Sequence, residues 1–210
     1  KSDKIKVLPF VPPSYIQENS KVGVLKINSL NLPKRYIFYP AKFWSHKNHL
    51  KLLKSINIAK KRCPNIHFVF TGNKKYDYWK IIKEINKLSL EKEITILGEI
   101  DSALLPSIYR NAVGLFMPTF GGPTNIPPLE AILCKCPMAV SNNFAMPEQL
   151  KQASLYFDPS SEDEMANVIF ELWTNKKKRL EIVAEGIKLK KFISIESHKN
   201  RIINILNDIK

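Results

Sequence analysis

From about Arg35 onward, short runs of β-branched and aromatic residues alternate with stretches of helical periodicity. Residues 36–39, 66–71, 93–97, 113–117, 137–140 and 153–157 read as strands, several of them closed by glycine or a polar turn. Helices are predicted between them. One spans about 48–61, with Leu52, Leu53, Ile56 and Ala59 on one side; others span 79–88 and, capped by Asp101, 102–110. Strands that are apolar throughout, each followed by a helix, must be covered on both faces. The expected fold is therefore α/β: a Rossmann-like parallel sheet with helices on both faces. Beyond the last strand the pattern is helical. Ser161-Glu-Asp-Glu164 is a capping box, and Met165, Val168, Ile169 and Leu172 follow at i, i+3, i+4 and i+7 as core positions. Two further helices, about 177–190 and 195–209, complete the chain.

Residues 1–33 differ. Pro9, Pro12, Pro13 and Pro33 interrupt them, and they hold no complete strand–helix unit. They read as a connector from an upstream domain, with one short strand at 5–8, which leaves 34–210 as the domain proper. The chain does not begin with Met, so a fragment is expected.

Composition narrows the function classes. With 210 residues and 44% hydrophobic content, the chain can bury a full core. It has neither an apolar run near the ~20 residues of a membrane span nor the apolar centre of a signal peptide. A cytoplasmic protein is expected. The net charge of +14 favours an anionic membrane surface as a peripheral partner. A basic nucleic-acid-binding domain is the competing reading of that charge. The charge, however, is carried by lysines spread along the chain, not by clustered arginines. The one dense run, Lys176-Lys-Lys-Arg179, reads as a solvated helix start. Cys63, Cys134 and Cys136 form an odd set without metal-ligand spacing, so reduced thiols and no metal are expected.

Two constellations fall just after strands, on the edge where parallel sheets bind ligands. The first is Lys42-x4-Lys47, with Ser45 placed to cap the following helix and His46, Asn48 and His49 around it. Two ammonium groups beside a helix start can neutralise a diphosphate. His46 and His49 lack a partner for metal; Asn48 and His49 are expected to orient the loop or help hold phosphate. The second constellation is Phe120-Gly-Gly-Pro-Thr-Asn-Ile-Pro-Pro-Leu-Glu130-Ala131. Pro127 suits a first helical position, and the amides of Gly121, Gly122, Thr124 and Asn125 then lie near the positive end of a helix dipole. Glu130 stands nearby as an acceptor for a diol. Anion donors beside a diol acceptor suggest a nucleotide-sugar pocket. The chain contains no G-x-G-x-x-G, no P-loop and no serine nucleophile elbow.

The order of Tyr-Pro-Ala-Lys-Phe-Trp-Ser-His-Lys-Asn-His (39–49), Phe-Thr-Gly (70–72), Ile-Leu-Gly (96–98), Ile-Tyr-Arg-Asn-Ala (108–112), the 118–131 segment, Pro-Glu-Gln (147–149) and Phe-Asp-Pro (157–159) is specific. It resembles the C-terminal, donor-binding domain of GT-B retaining glycosyltransferases of family 4 (glycosyl transferases group 1), over roughly residues 34–190.

The resemblance implies one half of a GT-B fold and transfer of a sugar, with retention, from a nucleotide-sugar to a saccharide or lipid-linked acceptor. It implies no cofactor and no required metal, and an acceptor domain N-terminal to this chain. Lys42 and Lys47 match the diphosphate-binding pair, and Glu130 the ribose ligand, the second glutamate of Glu-x7-Glu. Gly72, Gly121, Gly122, Thr124, Asn125 and Ile126 fall on donor-binding positions. Three departures stand out. Lys42 replaces the usual Arg, and Gly122 occupies the first glutamate's position. Lys135 stands where the family has a helix-ending Gly. Another GT-B-type nucleotide-sugar enzyme is the second alternative.

Overall fold

The computed structural model describes residues 5–16, 30–74, 76–122 and 124–208. Six strands form one parallel sheet: β1 (Ile37–Pro40), β2 (Phe68–Thr71), β3 (Ile94–Gly98), β4 (Gly114–Met117), β5 (Met138–Ser141) and β6 (Leu155–Phe157), in the order β3-β2-β1-β4-β5-β6. The register runs Ile37↔Phe68 through Pro40↔Thr71 between β1 and β2, and Ile37↔Gly114 between β1 and β4. The four inner strands are apolar throughout because they are buried on both faces, whereas the edges β3 and β6 are only partly covered. The expectation of a Rossmann-like α/β fold holds.

Helices α1 (His49–Ala59), α2 (Tyr78–Lys87), α3 (Leu105–Asn111), α4 (Ile126–Leu133) and α5 (Met146–Leu150) connect the strands. Right-handed crossovers place α1 and α2 on one face and α3 to α5 on the other, because the chain moves outward from β1 first one way and then the other. Three helices then close the chain: α6 (Glu162–Thr174), α7 (Lys176–Leu189) and α8 (Ile195–Asn207). Helix α6 returns across the sheet to pack on α1 and on the start of β4, and α7 packs on α4. The approach of α6 requires Gly114: a Cβ there would lie 2.9 Å from Leu172 Cδ1.

Two of the expected caps form. Ser161 Oγ accepts from Glu164 N at 3.2 Å, and Asp101 Oδ1 accepts from Ala103 N at 2.9 Å. Helix α4 starts one residue earlier than anticipated, so Ile126, not Pro127, is its first residue. Lys135 ends that helix at φ 54°, taking the left-handed conformation that glycine adopts at lower cost. Helix α5 was not expected at all; five residues are too short to show a period.

The strand expected at 5–8 is absent. Residues 5–13 have no regular structure, and Ile5 and Val7 are largely exposed. Pro9, Pro12 and Pro13 lack the N–H that a sheet ladder needs. The segment runs instead along α8, where Pro9 O meets His198 Nδ1 at 3.0 Å and Lys6 Nζ pairs with Asp208 at 3.0 Å. It ends in a 3₁₀ turn, Ser14–Ile16, which seats buried Ile16 against α3. The rest of the expected connector, 1–4 and 17–29, and the end of the last expected helix, 209–210, lie outside the described residues.

Candidate functional site

β1 and β4 are neighbours, yet their connections leave in opposite directions across the sheet. A crevice opens at such a switch point, at the carboxyl ends of the strands. The loop after β1 (41–48) and the loop after β4 (118–125) line it, and these carry the two constellations. Backbone and side-chain bonds stitch the loops together. Phe120 N donates to His46 O at 2.9 Å. Asn48 Nδ2 donates to Pro118 O at 3.0 Å and Pro159 O at 2.8 Å. Tyr39 OH donates to Lys47 O at 2.7 Å, and Ser141 Oγ to Thr119 O at 2.8 Å. Asn48 thus ties the β1 loop to the segments that follow β4 and β6.

Asn48 and Asn125 precede α1 and α4 in left-handed conformations, φ 61° and 47°, and neither side chain caps its helix. The first-turn donors therefore remain available toward the crevice. In α4, Pro127 and Pro128 contribute no N–H. Among the described residues, the amides of Gly122, Thr124, Asn125 and Ile126 have no acceptor. Gly121 N makes only a 3.4 Å contact with Thr119 Oγ1. Asn125 is 6% exposed, and its Oδ1 has no partner among the described residues. Pro123 lies outside the described residues.

Lys47 is the cation at this turn. Its Nζ lies 3.8 Å from the point where a Cβ on Gly122 would stand, so both constellations meet in one place. Burial holds the Lys47 pKa below the usual lysine range. Burial and that same charge hold His46 below the usual histidine range. Lys42 is exposed, with Nζ 5.4 Å from the centre of the Trp44 ring.

Several expected roles change. Ser45 does not cap α1; its hydroxyl donates to Asp77 Oδ2, and α1 begins four residues later at His49. That bond, with Lys80 Nζ at 3.1 Å, holds the Asp77 carboxyl below the usual range. Asp77 also takes part through its backbone, donating from N to Phe43 O at 3.2 Å. Nothing local to its sequence marks it as the anchor of the β1 loop. His49 is 2% exposed, packed at 4.9 Å from Tyr39 and Phe43 and 5.6 Å from Phe70. Neither of its ring nitrogens has a partner among the described residues, and burial pushes its pKa down to about 3. It is a neutral core residue and does not reach toward a phosphate. Gly72 serves the backbone: at φ 141°, a Cβ would fall 2.3 Å from Ala41 O.

Glu130 is turned inward. It is 4% exposed, and its two oxygens accept from Tyr15 OH at 2.6 Å and Tyr109 OH at 2.7 Å. Burial and the carboxylate raise both tyrosine pKa values well above the usual phenol range. Neither tyrosine was singled out from sequence, although Tyr109 lies within the Ile-Tyr-Arg-Asn-Ala segment. Among the described residues, no three His, Cys, Asp or Glu side chains converge as a metal site, and no helix is long and apolar enough to cross a membrane. The three cysteines are buried and unbridged.

Comparison with known proteins places this geometry. Residues 24–189 match the family model described as glycosyl transferases group 1. Similar curated proteins are the O-antigen chain mannosyltransferase B of Escherichia coli (26% identical over 173 residues; 80% of this chain, 45% of that protein) and the O-antigen chain mannosyltransferase RfbU of Salmonella typhimurium (25% over 165; 74% and 45%). The chain thus spans less than half the length of these relatives. Among solved structures, Anabaena HepE in complex with UDP-glucose superposes with a TM-score of 0.76 at 16% identity, covering 92% of this chain and 54% of that one. The family match extends over most of the chain and across both loops of the crevice: this chain belongs to the glycosyl transferases group 1 family.

Proposed function

We propose that the crevice between the β1 and β4 loops binds the nucleotide-sugar donor of a retaining glycosyltransferase. The observation that carries this reading is the meeting of Lys47 Nζ with the uncapped N-terminus of α4 at Gly122. A half-buried lysine and a row of amides that have no acceptor among the described residues together form a diphosphate site. In this reading Lys47, assisted by Lys42 and the helix amides, stabilises the negative charge that grows on the departing diphosphate. No metal is needed for that step. The amides of Gly121, Gly122, Thr124, Asn125 and Ile126 contact the β-phosphate and the donor sugar in place of the missing glutamate at 122. Glu130 takes the ribose hydroxyls once a tyrosine hydroxyl gives way.

The donor is a nucleotide-linked hexose, mannose being the sugar named for both curated relatives. The acceptor is a saccharide or lipid-linked saccharide of surface polysaccharide synthesis. It is held by the part of the protein N-terminal to this chain, in the cytoplasm or at an anionic membrane surface. On its own this chain transfers sugar little or not at all.

Thermal-shift titration with UDP, GDP, dTDP and CMP tests the site. One nucleoside diphosphate is expected to raise the melting temperature, the rise growing with the logarithm of its concentration over Kd, and Lys47→Ala to abolish most of that rise. Equal stabilisation of wild type and Lys47→Ala would overturn the assignment.

A further inference from the structure

Phe144 stands on the loop after β5, beside the glycine turn. It is the first central residue of the turn that Met146 N closes on Asn143 O at 3.2 Å. Its φ is 53°, and turns with a positive φ at this position favour glycine. A bulky aromatic residue there pays a conformational cost. Burial does not repay it, because Phe144 is 79% exposed. The ring edge is instead aimed at the site: Cε2 lies 3.7 Å from the point where a Cβ on Gly121 would stand. Gly121, Gly122, Asn125 and Asn143 line a shallow dimple with the ring, one with no room of its own for a water molecule, so a ligand would lie over its mouth. There Asn125 Oδ1 is buried and has no donor among the described residues.

An exposed apolar ring, a carboxamide oxygen and backbone amides that have no partners among the described residues are complementary to a pyranose. Its C–H face stacks on an aromatic ring while its rim hydroxyls donate and accept. Lys47 lies against Gly122, on the phosphate side of the glycine turn; Phe144 lies against Gly121, on the other. We propose that Phe144 is the stacking wall for a pyranose ring at the glycine turn, and so a specificity residue of the site; this rests on the donor-site reading above. Two sources supply such a ring, the donor's own sugar and the acceptor's terminal sugar.

Calorimetric titration of wild type, Phe144→Ala and Phe144→Trp separates them. The probes are GDP against GDP-mannose, UDP against UDP-glucose, and methyl α-mannopyranoside. For a donor-sugar wall, Phe144→Ala weakens the nucleotide-sugar about five-fold, the factor that ~1 kcal/mol of stacking contributes. The bare nucleotide stays unaffected, and Phe144→Trp restores binding. For an acceptor-sugar wall, nucleotide-sugar affinity is unchanged and binding of the glycoside is lost in Phe144→Ala. Phe144→Gly removes the backbone cost, so it is expected to melt about 2 °C higher while losing the same sugar affinity. If Phe144→Ala binds both nucleotide-sugar and glycoside as tightly as wild type does, the wall is overturned and the donor site stands. A glycoside that binds through Phe144 where no nucleotide binds would keep the wall and overturn the donor site. Failure of wild type to bind any of the probes overturns both.

Discussion

The Tyr15 hydroxyl donates to Glu130 Oε1 at 2.6 Å, joining the N-terminal segment to helix α4 across 115 residues of chain. The carboxylate is thereby shielded from the crevice it is expected to serve. If Glu130 accepts a ribose diol, Tyr15 and the nucleotide compete for the same oxygen. Tyr15→Phe is then expected to bind the favoured nucleotide up to about ten-fold more tightly, the equivalent of one hydrogen bond to a charged group. Without ligand, the same variant loses about 1–2 kcal/mol of stability. Calorimetry and urea titration on one preparation read both effects. Unchanged or weaker affinity would show that Tyr15 does not stand in the nucleotide's way. Glu130→Ala leaves the buried Tyr109 hydroxyl without an acceptor and is expected to cost about 2–4 kcal/mol even in the free protein. Its effect on binding is therefore to be read from the ligand-induced rise in melting temperature, not from the melting temperature itself.

Lys47 carries a pH signature. Its pKa lies below the usual lysine value, so the cation is lost at a lower pH than on an exposed lysine. Anion binding requires the charged form. Affinity for a nucleoside diphosphate is thus expected to fall with rising pH before the ordinary lysine range is reached. In Lys47→Arg the guanidinium stays charged throughout, so affinity stays level apart from titration of the ligand itself. A matching slope in the two proteins would remove Lys47 from the site. At pH 7.5, Lys47→Ala is expected to weaken binding about ten- to a hundred-fold. Lys42→Ala, at an exposed position beside Trp44, is expected to cost about three-fold.

His49 gives the fold an acid-sensitive point. Its folded-state pKa is about 3, against about 6.5 for an unfolded histidine. Between those values the unfolded chain binds a proton that the folded one does not. Stability therefore rises with pH in this window and falls as pH drops from about 6.5 toward 3. At pH 4.5 the loss from this one residue is about 3 kcal/mol. Replacing His49 with Phe, among Tyr39, Phe43 and Phe70, removes the titrating group and two unpartnered nitrogens. The variant is expected to match wild type in urea midpoint near neutral pH and to exceed it at pH 4.5. A parallel decline in both proteins would assign the acid sensitivity elsewhere.

The sheet was legible because strands covered on both faces announce themselves as unbroken apolar runs, and the loops that follow them fall on one edge. Lys47 and the glycine turn were found that way, since both are local to a strand end. What depended on tertiary approach was not. The inward turn of Glu130 follows from α4 starting at Ile126, which places position 130 a full turn inside the helix and toward Tyr109. The burial of His49 needs rings from β1, from β2 and from the loop between β1 and α1. A five-residue window on His49 shows only a polar residue beside lysine. The supposed strand at 5–8 illustrates the opposite error: a short apolar run carries a β pattern whether or not a partner strand exists.

Gly72 and Gly98 separate backbone geometry from close approach. Both have positive φ, 141° and 70°, and their backbones are bonded to each other, Gly72 N to Gly98 O at 2.7 Å. At Gly98 an added Cβ meets nothing within 4 Å, so Gly98→Ala carries only the cost of the left-handed conformation, about 1 kcal/mol. At Gly72 the Cβ would stand 2.3 Å from Ala41 O and 2.9 Å from Lys42 N. The clash is with backbone, which cannot rotate away, so the β1 loop itself must shift. Gly72→Ala is expected to cost about 3 kcal/mol or more. Because that loop leads into Lys47, the same variant is expected to lose most nucleotide affinity, whereas Gly98→Ala keeps it. Urea denaturation paired with nucleotide titration on the two variants distinguishes these outcomes. If Gly72→Ala binds nucleotide as wild type does, the position of the β1 loop does not govern the placement of Lys47, and the site must be held by the stitches to His46 O and Asn48 alone.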